Sequence, residues 1–334
     1  MQNLIDPAIL FFIFGVAAGA LRSNLEIPQP IAKFLSLYLL MALGLKGGFA
    51  LAKSGFGVDV MLSLSAAIAM AFFIPAIGYA FLKHRIPKFD AAAIAAAYGS
   101  VSAVTFVTAM QFLESSGLTF GGHMAVAMVL MESPAIIMAV LLANALRHGQ
   151  AAVSIAGGGA AILGFTPSNQ NLSLRKILHE SFTDGAHLLL LGSMAIGFIS
   201  GDAGKVVMQP FSGDLFKGML AFFLLDMGLM VARNFSDARK ASVVLLAYAG
   251  IAPLVHASIA LILAYLLGMS AADTALLMVL SASASYIVVP AVLRYAIPEA
   301  NPALYFGLSL GITFPLNILI GIPLYTAMAQ HFLG

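Results

Sequence analysis

Two ten-residue stretches of this chain carry hydroxyl groups at short, regular spacing within strongly apolar sequence: SVSAVTFVTA from residue 100 and SASASYIVVP from residue 281. Serines at every second position fit an extended or unwound segment better than a helix, whose period is about 3.6 residues. Where a helix breaks, freed backbone N–H groups can hold an anion, and hydroxyl and carbonyl oxygens can hold a hard cation such as Na+. We therefore predict one solute site built from both stretches. Its candidate anion-binding residues are Ser100, Ser102, Ala103, Thr105, Ser281, Ser283 and Ser285.

Close helix packing is the alternative interpretation of such stretches, because small residues let two helix backbones approach. One stretch alone would favour packing. Two stretches at corresponding points of the chain favour the site.

Acidic residues are rare within the apolar runs, and Glu132 and Asp226 are the clearest of them. A charged carboxylate at membrane depth costs about 2.5 kcal/mol or more, so an acid kept there predicts a functional role. Glu132 precedes Pro134, where a freed carbonyl and the acid can share a cation or a proton. The alternatives are a protonated Glu132 bonded to a neighbouring helix and an Asp226 that faces a water-filled vestibule. The ion-coupling candidates are Glu132, Thr105, Thr313 and Asp226, and the candidate Na+ ligands are Ser102, Thr105, Glu132 and Ser285.

The elements that position these residues are predicted to be transmembrane helices. Of 334 residues, 61% are hydrophobic and 9% are charged, with a mean hydropathy of +1.00. Soluble domains carry about 25% charged residues, so the composition predicts an integral membrane protein. Apolar runs of about 20 residues favour an all-α polytopic fold over a β-barrel. The absence of cysteine excludes disulfides, thiolate metal sites and thiol catalysis.

Ten spans fit the hydropathy pattern, several of them short or interrupted by Gly and Pro. Their apolar cores are 7–21, 31–52, 58–82, 90–113, 122–146, 186–200, 214–232, 242–267, 272–293 and 303–330. The N-terminal segment lacks a basic region and a cleavage site, so we expect a retained first span.

The basic residues are distributed unevenly about these spans. With the N-terminus outside, twelve of the sixteen Lys and Arg residues fall on the inner side, as the positive-inside rule favours. The inner set is Arg22, Lys33, Lys83, Arg85, Lys88, Arg147, Arg175, Lys176, Arg233, Arg239, Lys240 and Arg294, and the outer set is Lys46, Lys53, Lys205 and Lys217. Both termini are therefore predicted to be periplasmic or extracellular. Basic residues scattered singly at span ends give no sign of a nucleic-acid partner, and the cluster KHRIPK (83–88) can contact anionic membrane lipid.

A segment rich in Gly, Ser and Asn interrupts the apolar pattern near the middle of the chain. It divides the sequence into a first five-span repeat at 1–150, a cytoplasmic linker loop at 151–178 and a second five-span repeat at 179–334. The linker is interpreted as a flexible join, and the alternative is a docking or regulatory loop.

The two halves of the chain repeat each other. An offset of 181 residues carries Ser100 onto Ser281 and Pro134 onto Pro315 without a gap. Upstream, LLMALGL resembles FLLDMGL and FGVAAGAL resembles GSMAIGFI, which pairs Gly44 with Gly228 and Gly19 with Gly197. Because five spans per half is an odd number, the second repeat must enter the membrane inverted. Inverted repeats are characteristic of secondary transporters, which bind solute near the midplane where broken helices meet.

Other classes of membrane protein fit the sequence less well. An intramembrane enzyme would need paired acids, an HExxH motif or a Ser/His arrangement, so we expect no catalysis. A channel is harder to distinguish from a carrier, but repeated broken spans with an acidic residue fit a coupled carrier better. The alternative from a different class is a non-transporting sensor that binds its ligand and signals through the inner loop.

Several motifs resemble the SbtA-type sodium-dependent bicarbonate transporter family: GSVSAVTFVTAM, MESPAI, APLVHA and, most specifically, IPEANPALYFG followed by GITFP. The resemblance covers nearly the whole chain. It implies a bacterial inner-membrane protein with ten spans in two inverted repeats, assembled as a homotrimer. It further implies a core domain that holds bicarbonate and Na+ at paired half-helices and moves against a gate domain, and a PII-like regulator on the cytoplasmic face.

The chain departs from the family pattern mainly at its second hydroxyl-bearing stretch. The family pattern reads SSSDISGPP where this chain has SASYIVVPA, so Tyr286 replaces an acid and Val288 and Val289 replace a Ser-Gly pair. In the first stretch, Ala103 and Val104 stand where the family has Gly and Ser. These changes alter the oxygen ligands available for Na+. We therefore expect the chain to share the fold of the family more closely than it shares the substrate.

The sequence therefore predicts an elevator-type secondary transporter that couples Na+ to uptake of bicarbonate or a similar small anion. Within transport, the alternative is a proton- or Na+-coupled carrier of a different small anion, such as a carboxylate. No organic cofactor is expected.

Overall fold

The computed structural model describes residues 6–55, 57–156, 185–238 and 241–334. These residues are almost entirely helical, and no strand occurs among them. The predicted linker at 151–178 lies outside the described residues from position 157 onward. Its first six residues, 151–156, continue the preceding helix, which ends at Ala156.

Within the described residues, a helix occurs at each of the ten predicted spans. The first half contains α1 (Pro7–Ala20), α2 (Gln29–Ser54), α3 (Val58–Leu82), α4 (Lys88–Gly99), α5 (Ala103–Ser115) and α6 (His123–Ala156). The second half contains α7 (Gly185–Gln209), α8 (Leu215–Ala238), α9 (Val243–Leu267), α10 (Ala271–Ala282), α11 (Val288–Ala296), α12 (Pro302–Leu308), α13 (Phe314–Leu316) and α14 (Ile322–Leu333). The last three helices are joined by π-helical turns at 309–313 and 317–321 into one continuous stretch.

Seven helical stretches of the described residues are long and apolar enough to cross a membrane. One of them, Leu188–Phe235, has 48 residues and includes two of the predicted spans, and another, Lys88–Ser115, includes both α4 and α5. Shorter apolar helices cover Pro7–Ala20 and Ala271–Ala282. The chain is thus a multi-pass helical membrane protein.

Glycine and proline cause the interruption within the longest of these stretches. Gly201 in α7 has φ 54° and ψ −142°, a conformation that glycine adopts without the steric cost of a Cβ. The helix is kinked at that residue. Pro210, which lacks a backbone N–H, then begins the π-helical turn that leads into α8.

Two helix pairs, α1 with α8 and α2 with α7, pack extensively and at backbone distance. A Cβ added to Gly228 of α8 would lie 3.0 Å from the Cα of Gly15 in α1. A Cβ added to Gly48 of α2 would lie 2.9 Å from the Cα of Gly197 in α7. Small residues at such crossings let membrane helices gain close van der Waals contact, which replaces the hydrophobic effect as a source of association.

The two helix pairs correspond to each other under the predicted repeat. The repeat places α1 on α7 and α2 on α8, so exchange of the halves turns the α1–α8 contact into the α7–α2 contact. The same exchange carries Gly15 onto Ser193 and Gly228 onto Gly44. A Cβ added to Gly44 would lie 2.8 Å from the Ser193 Cβ, at the crossing that matches that of Gly15 with Gly228.

The remaining helices form a second group around α4 and α10. Helix α3 packs on α4 and α6, and α4 packs on α6. In the second half, α10 packs on α9 and α14 in the same manner. Every residue is buried from Ala91 to Gly99 in α4 and from Thr274 to Ala282 in α10, so the ends of both helices lie deep in the protein.

Two ion pairs join residues that the ten-span prediction places on the same side of the membrane. Lys46 of α2 lies 2.8 Å from Glu114 of α5, both on the predicted outer side. Arg147 of α6 lies 2.9 Å from Glu299, both on the predicted inner side. The first pair links the two groups of helices, whereas the second lies within the group around α4 and α10.

Candidate functional site

Each hydroxyl-bearing stretch contains a break between two helices. The first break, residues 100–102, separates α4 from α5, and the second break, residues 283–287, separates α10 from α11. The two breaks meet in the buried centre, where the Ser102 N–H donates a hydrogen bond to Ser283 Oγ at 3.0 Å. Ser100, Ser102, Ser283 and Ser285 therefore mark unwound backbone, as their spacing predicts, whereas Ser281 lies in the last turn of α10.

Ser102 caps the first turn of α5. Its backbone is extended, and its Oγ accepts from the Thr105 N–H at 3.2 Å and from the Thr105 hydroxyl at 2.9 Å. Such a cap satisfies one of the four N–H groups that the start of a helix leaves without an intrahelical acceptor. The N–H groups of Ala103 and Val104 belong to the same first turn.

Ser285 plays a similar part at the second break. Its Oγ accepts from the Val289 N–H in the first turn of α11 at 3.2 Å. Its backbone N–H donates to the Ala97 carbonyl near the end of α4 at 2.8 Å. Each half of the chain thus donates a backbone hydrogen bond to the other half at the crossing.

Side chains satisfy carbonyl groups at the end of α10. Ser283 Oγ donates to the Leu280 carbonyl at 2.8 Å, and Asn317 Nδ2 donates to the Ala282 carbonyl at 2.8 Å. The Tyr325 hydroxyl in turn donates to Asn317 Oδ1 at 3.0 Å. A helix end inside a membrane requires such partners because the hydrocarbon offers none.

Tyr286 connects the second break to the first break and to α8. Its side chain is 4% exposed, and its hydroxyl oxygen lies 3.4 Å from Ser102 Oγ, which donates to it. Its ring packs edge-on against Phe314 with centroids 5.4 Å apart, and its hydroxyl lies 3.7 Å from the Met227 sulfur. An aromatic ring therefore fills the position at which the sequence resemblance leads us to expect an acid.

A cavity of about 100 Å³ lies beside the two breaks. One water needs about 10–15 Å³ of such space, so the cavity accommodates a few waters or a small inorganic anion. Its walls come from both breaks and from α2, α6 and α7. Its polar lining residues are Ser36, Ser102, Glu132, Ser285 and Tyr286.

Glu132 contributes the carboxylate of this lining from α6 and is 7% exposed. Pro134 lacks an N–H, so the Leu130 carbonyl in the same helix loses its usual donor. Carboxylate, hydroxyl and carbonyl oxygens form the donor set that hard cations take. Among the residues that the structure describes, no group of three or more His, Asp or Glu side chains is arranged to hold a metal. A cation in this cavity therefore depends on Glu132 together with neutral oxygens.

Four of the predicted site residues lie behind the cavity wall. Thr105 and Ser283 contact Ser102 by hydrogen bonds and so support the lining without belonging to it. Ser100 and Ser281, which correspond in the repeat, are at most 1% exposed, and neither hydroxyl has a hydrogen-bond partner. Ala103, by contrast, lines the cavity.

Thr313 and Asp226 are not brought to the cavity. The Thr313 hydroxyl lies 2.6 Å from the Tyr98 hydroxyl and donates to the Ala249 carbonyl at 2.9 Å, so it joins α4, α9 and the C-terminal stretch. Asp226 lies buried on α8, beside Met227. Neither residue is among those that line the cavity, and their part in ion coupling stays a prediction.

The sequence analysis did not identify Ser36, Leu190 or Asn317. Ser36 and Leu190 line the cavity from α2 and α7, and nothing in their local sequence distinguishes them from other residues of apolar helices. Asn317 lies in the apolar segment FPLNILIG, and a side-chain amide at that depth is a signal that the sequence did offer.

Two broken helices that meet at a polar cavity inside a multi-pass helical protein define an arrangement that is characteristic of secondary transporters. The particular family follows from comparison with known proteins. The sequence profile of the Na+-dependent bicarbonate transporter superfamily matches residues 7–330, and the chain belongs to that family. No curated protein matches the chain.

Membership confirms the resemblance that the sequence motifs indicated. It implies transport rather than catalysis, and the family description gives Na+ as the coupling ion and bicarbonate as the solute.

Proposed function

We propose that this protein takes up bicarbonate, or a similar small anion, coupled to the entry of Na+. The observation that carries this proposal is the polar cavity at the two breaks, lined by Ser102, Ser285, Tyr286 and Glu132. Polar and acidic groups at membrane depth are costly unless they are paired or used by a ligand. A cavity of this size and lining suits one small anion with one cation.

The anion is held at the start of α5. The first-turn N–H groups of Ala103 and Val104 lie at the positive end of the helix dipole, and both residues line the cavity. Ser102 donates to the Tyr286 oxygen over 3.4 Å, a long bond that an anion oxygen can replace. Ser285 adds a hydroxyl from the second break.

Na+ is held between the Glu132 carboxylate and the oxygens of Ser102, Thr105 and Ser285. Without Na+, a bicarbonate ion in this cavity would face the charge of Glu132 at low dielectric, where like charges repel strongly. Bound Na+ neutralises that carboxylate and so permits the anion to enter. This dependence of the anion on the cation is the basis of coupling.

Transport requires that the cavity open to each side of the membrane in turn. Ser36 of α2 and Leu190 of α7 line one side of the cavity, and the two breaks line the other. We propose that the pairs α1–α8 and α2–α7 form a gate domain and that the helices around α4 and α10 form a core domain that moves against it in an elevator motion. The matched contacts of Gly15 with Gly228 and of Ser193 with Gly44 support an inverted repeat.

The family resemblance extends the proposal to assembly and location. We propose a homotrimer in a bacterial inner membrane, with both termini outside and with a PII-like regulator on the cytoplasmic face. The uneven distribution of Lys and Arg supports this orientation.

Tyr286 favours a second candidate function. Its ring lines the cavity and packs on Phe314, and it supplies a neutral hydroxyl instead of a carboxylate. A carrier with fewer charged ligands can use H+ instead of Na+ or accept a different small anion, such as a carboxylate.

Uptake of radiolabelled bicarbonate into proteoliposomes tests both candidates. The inward gradient is Na+, H+ or neither, protein-free liposomes are the control, and an excess of unlabelled acetate is added in a parallel set. Uptake that requires Na+ and resists acetate supports the first candidate. Uptake driven by H+, or abolished by acetate, supports the second, and the absence of bicarbonate flux under every gradient contradicts the first.

A further inference from the structure

A groove of about 510 Å³ lies between α3 and α9, apart from the cavity at the two breaks. Its walls include Gly78 and Phe81 from α3 and Ala247, Ile251 and Val255 from α9. Phe81, Ile251 and Val255 are 45%, 59% and 46% exposed, so the groove opens to the surroundings of the protein. In a membrane protein, an open apolar groove on the outer surface of the helices is in contact with lipid chains.

The depth of the groove corresponds to one leaflet. On α9 it extends from Val244 to His256, and twelve residues of helix rise about 18 Å. Half of the hydrocarbon thickness of a bilayer is about 15 Å. The groove therefore runs from one membrane surface to about the midplane, and the inner surface is the one that the distribution of Lys and Arg predicts.

The mouth of the groove is basic. Arg85 is the charged residue among its described lining residues. Its guanidinium lies 3.9 Å from the Phe81 ring centroid and donates to the Phe81 carbonyl at 2.6 Å. The Phe81 ring stacks on Tyr248 with centroids 6.0 Å apart, so the groove wall itself holds Arg85 at the mouth. Lys83 and Lys88 follow the same helix end in sequence and add positive charge at the membrane surface.

We propose that this groove binds one anionic phospholipid, with an acyl chain against α3 and α9 and its phosphate at Arg85. Charge complementarity identifies the headgroup, because basic residues at the inner surface attract anionic lipid. The depth of the groove indicates that its apolar part holds an acyl chain, because an acyl chain of one leaflet ends near the midplane.

The proposal is tested by native mass spectrometry of the full chain after delipidation. The protein is titrated with phosphatidylglycerol or with phosphatidylcholine of the same chain length. We expect one phosphatidylglycerol per protomer to bind at least fivefold more tightly than phosphatidylcholine. Arg85→Gln is expected to remove that preference, about fivefold for one cation at the surface, while Arg22→Gln, an exposed basic residue away from the groove, keeps it.

A second pair of variants tests the apolar part of the site. Ala247→Phe fills the groove from an exposed position, and Ile262→Phe places the same ring on a lipid-facing position in the other half of α9. We expect Ala247→Phe to reduce binding of both lipids and Ile262→Phe to leave it unchanged. Equal retention of the two lipids with no effect of either groove variant overturns the proposal. Loss of subunit association in Ala247→Phe without a change in lipid binding also overturns it, because the occupant is then a second copy.

Discussion

The two breaks occupy corresponding positions of the two halves and yet supply different groups to the cavity. At the first break, Ser102 caps α5 and accepts two hydrogen bonds from Thr105. The repeat offset of 181 carries Thr105 onto Tyr286. Both residues place a hydroxyl beside the same Ser102 oxygen, at 2.9 Å for Thr105 and at 3.4 Å for Tyr286.

The difference between these two residues gives the cavity an asymmetric chemistry. Thr105 is small and lies behind Ser102, whereas the ring of Tyr286 lines the cavity and packs against Phe314. The carboxylate of the lining also comes from the first half, from Glu132. We therefore propose that the first half supplies most of the groups that bind the ions, and that Tyr286 of the second half sets the shape of the cavity.

Removal of the charge of Glu132 is expected to have the largest effect. Glu132→Gln keeps the size of the side chain but removes its negative charge, and a hydrogen bond or contact to a charged group is worth about 1.5–3 kcal/mol. We expect the half-saturating Na+ concentration for bicarbonate uptake to rise about 10- to 100-fold. The measurement is initial uptake at a series of Na+ concentrations.

Glu26→Gln is the matched control for that variant, because Glu26 is an exposed acid in the connection between α1 and α2. We expect its Na+ dependence to equal that of the wild type. A Glu132→Gln protein with the Na+ dependence of the wild type would contradict the assignment of the cation to the first half.

Ser102 and Ser283 correspond under the predicted repeat offset. Alanine at each position is expected to distinguish a residue that lines the cavity from one that supports the lining. Ser102 lines the cavity, whereas Ser283 lies behind it and accepts from the Ser102 N–H. We expect Ser102→Ala to raise the half-saturating bicarbonate concentration about fivefold, as for one lost hydrogen bond, and Ser283→Ala to change it less than twofold.

Ser270→Ala controls for the loss of a helix cap, since Ser270 caps α10 by accepting from the Asp273 N–H at 3.1 Å. We expect it to lower stability by about 1 kcal/mol, as Ser102→Ala does, without a change in bicarbonate affinity. Thermal unfolding of the purified proteins measures the first effect. An affinity loss in Ser283→Ala as large as that in Ser102→Ala would show that the two breaks contribute equally.

Thr105→Val and Tyr286→Phe remove the two corresponding hydroxyls with little change of shape. Because the Thr105 hydroxyl lies closer to Ser102, we expect Thr105→Val to raise the half-saturating Na+ concentration about fivefold and Tyr286→Phe to raise it less than twofold. Na+ titration of bicarbonate uptake measures both. The reverse order would place the cation at the second break.

The two ion pairs allow a contact between the two helix groups to be compared with a contact inside one group. Removal of either pair is expected to have the smallest effect of the variants described. The Arg147 guanidinium that bonds to Glu299 holds the pKa of that carboxyl below its ordinary value. A lowered folded-state pKa stabilises the protein above the ordinary glutamate pKa of about 4.3, and this stability is lost as pH falls through the folded pKa. Both side chains are about one-third exposed, so the pair contributes only about 0.2–1 kcal/mol.

Glu299→Gln is therefore expected to reduce thermal stability slightly at pH 7, with an effect that shrinks as pH falls through the folded-state pKa, and to leave transport unchanged. Glu114→Gln removes the partner of Lys46 between the two helix groups and is expected to change the transport rate instead. An equal change of rate in both variants would contradict the division into gate and core groups.

Much of the fold follows from the sequence, because hydropathy and the residues that end or interrupt helices act locally. The predicted span 58–82 coincides with α3, and the serine spacing locates both breaks. The continuation of α6 to Ala156 was not predicted, because the local composition after Arg147 resembles a linker. The backbone contacts of Gly44 and Gly228 correspond to glycines that the repeat had already paired.

The site was only partly predictable, because membership of a cavity wall depends on which faces meet across the chain. Ser102, Ala103, Ser285 and Glu132, which the sequence analysis predicts to bind ions, line the cavity, and their binding roles stay predictions. The equivalence of Thr313 to Glu132 in the repeat suggested a shared role, but Tyr98 and the Ala249 carbonyl engage the Thr313 hydroxyl. The predicted repeat pairs positions in the sequence, whereas the contacts of each position depend on the side chain present in each half.

The cavity beside the two breaks is proposed to hold the anion and Na+ together, and cysteine labelling of its wall tests this binding. The chain contains no cysteine, so an introduced cysteine is the only thiol that the reagent can label. Ala103 lines the cavity, and its repeat equivalent Ala284 is 3% exposed and lies outside the lining. Ala103→Cys and Ala284→Cys are treated with a small water-soluble thiol reagent, and the labelled fraction is measured by mass spectrometry.

We expect labelling of Ala103→Cys to slow when Na+ and bicarbonate are present together, but not with either alone. We expect little labelling of Ala284→Cys under any condition. Labelling of Ala103→Cys that is unaffected by both ions, with protection at Ala284→Cys instead, would contradict the proposal.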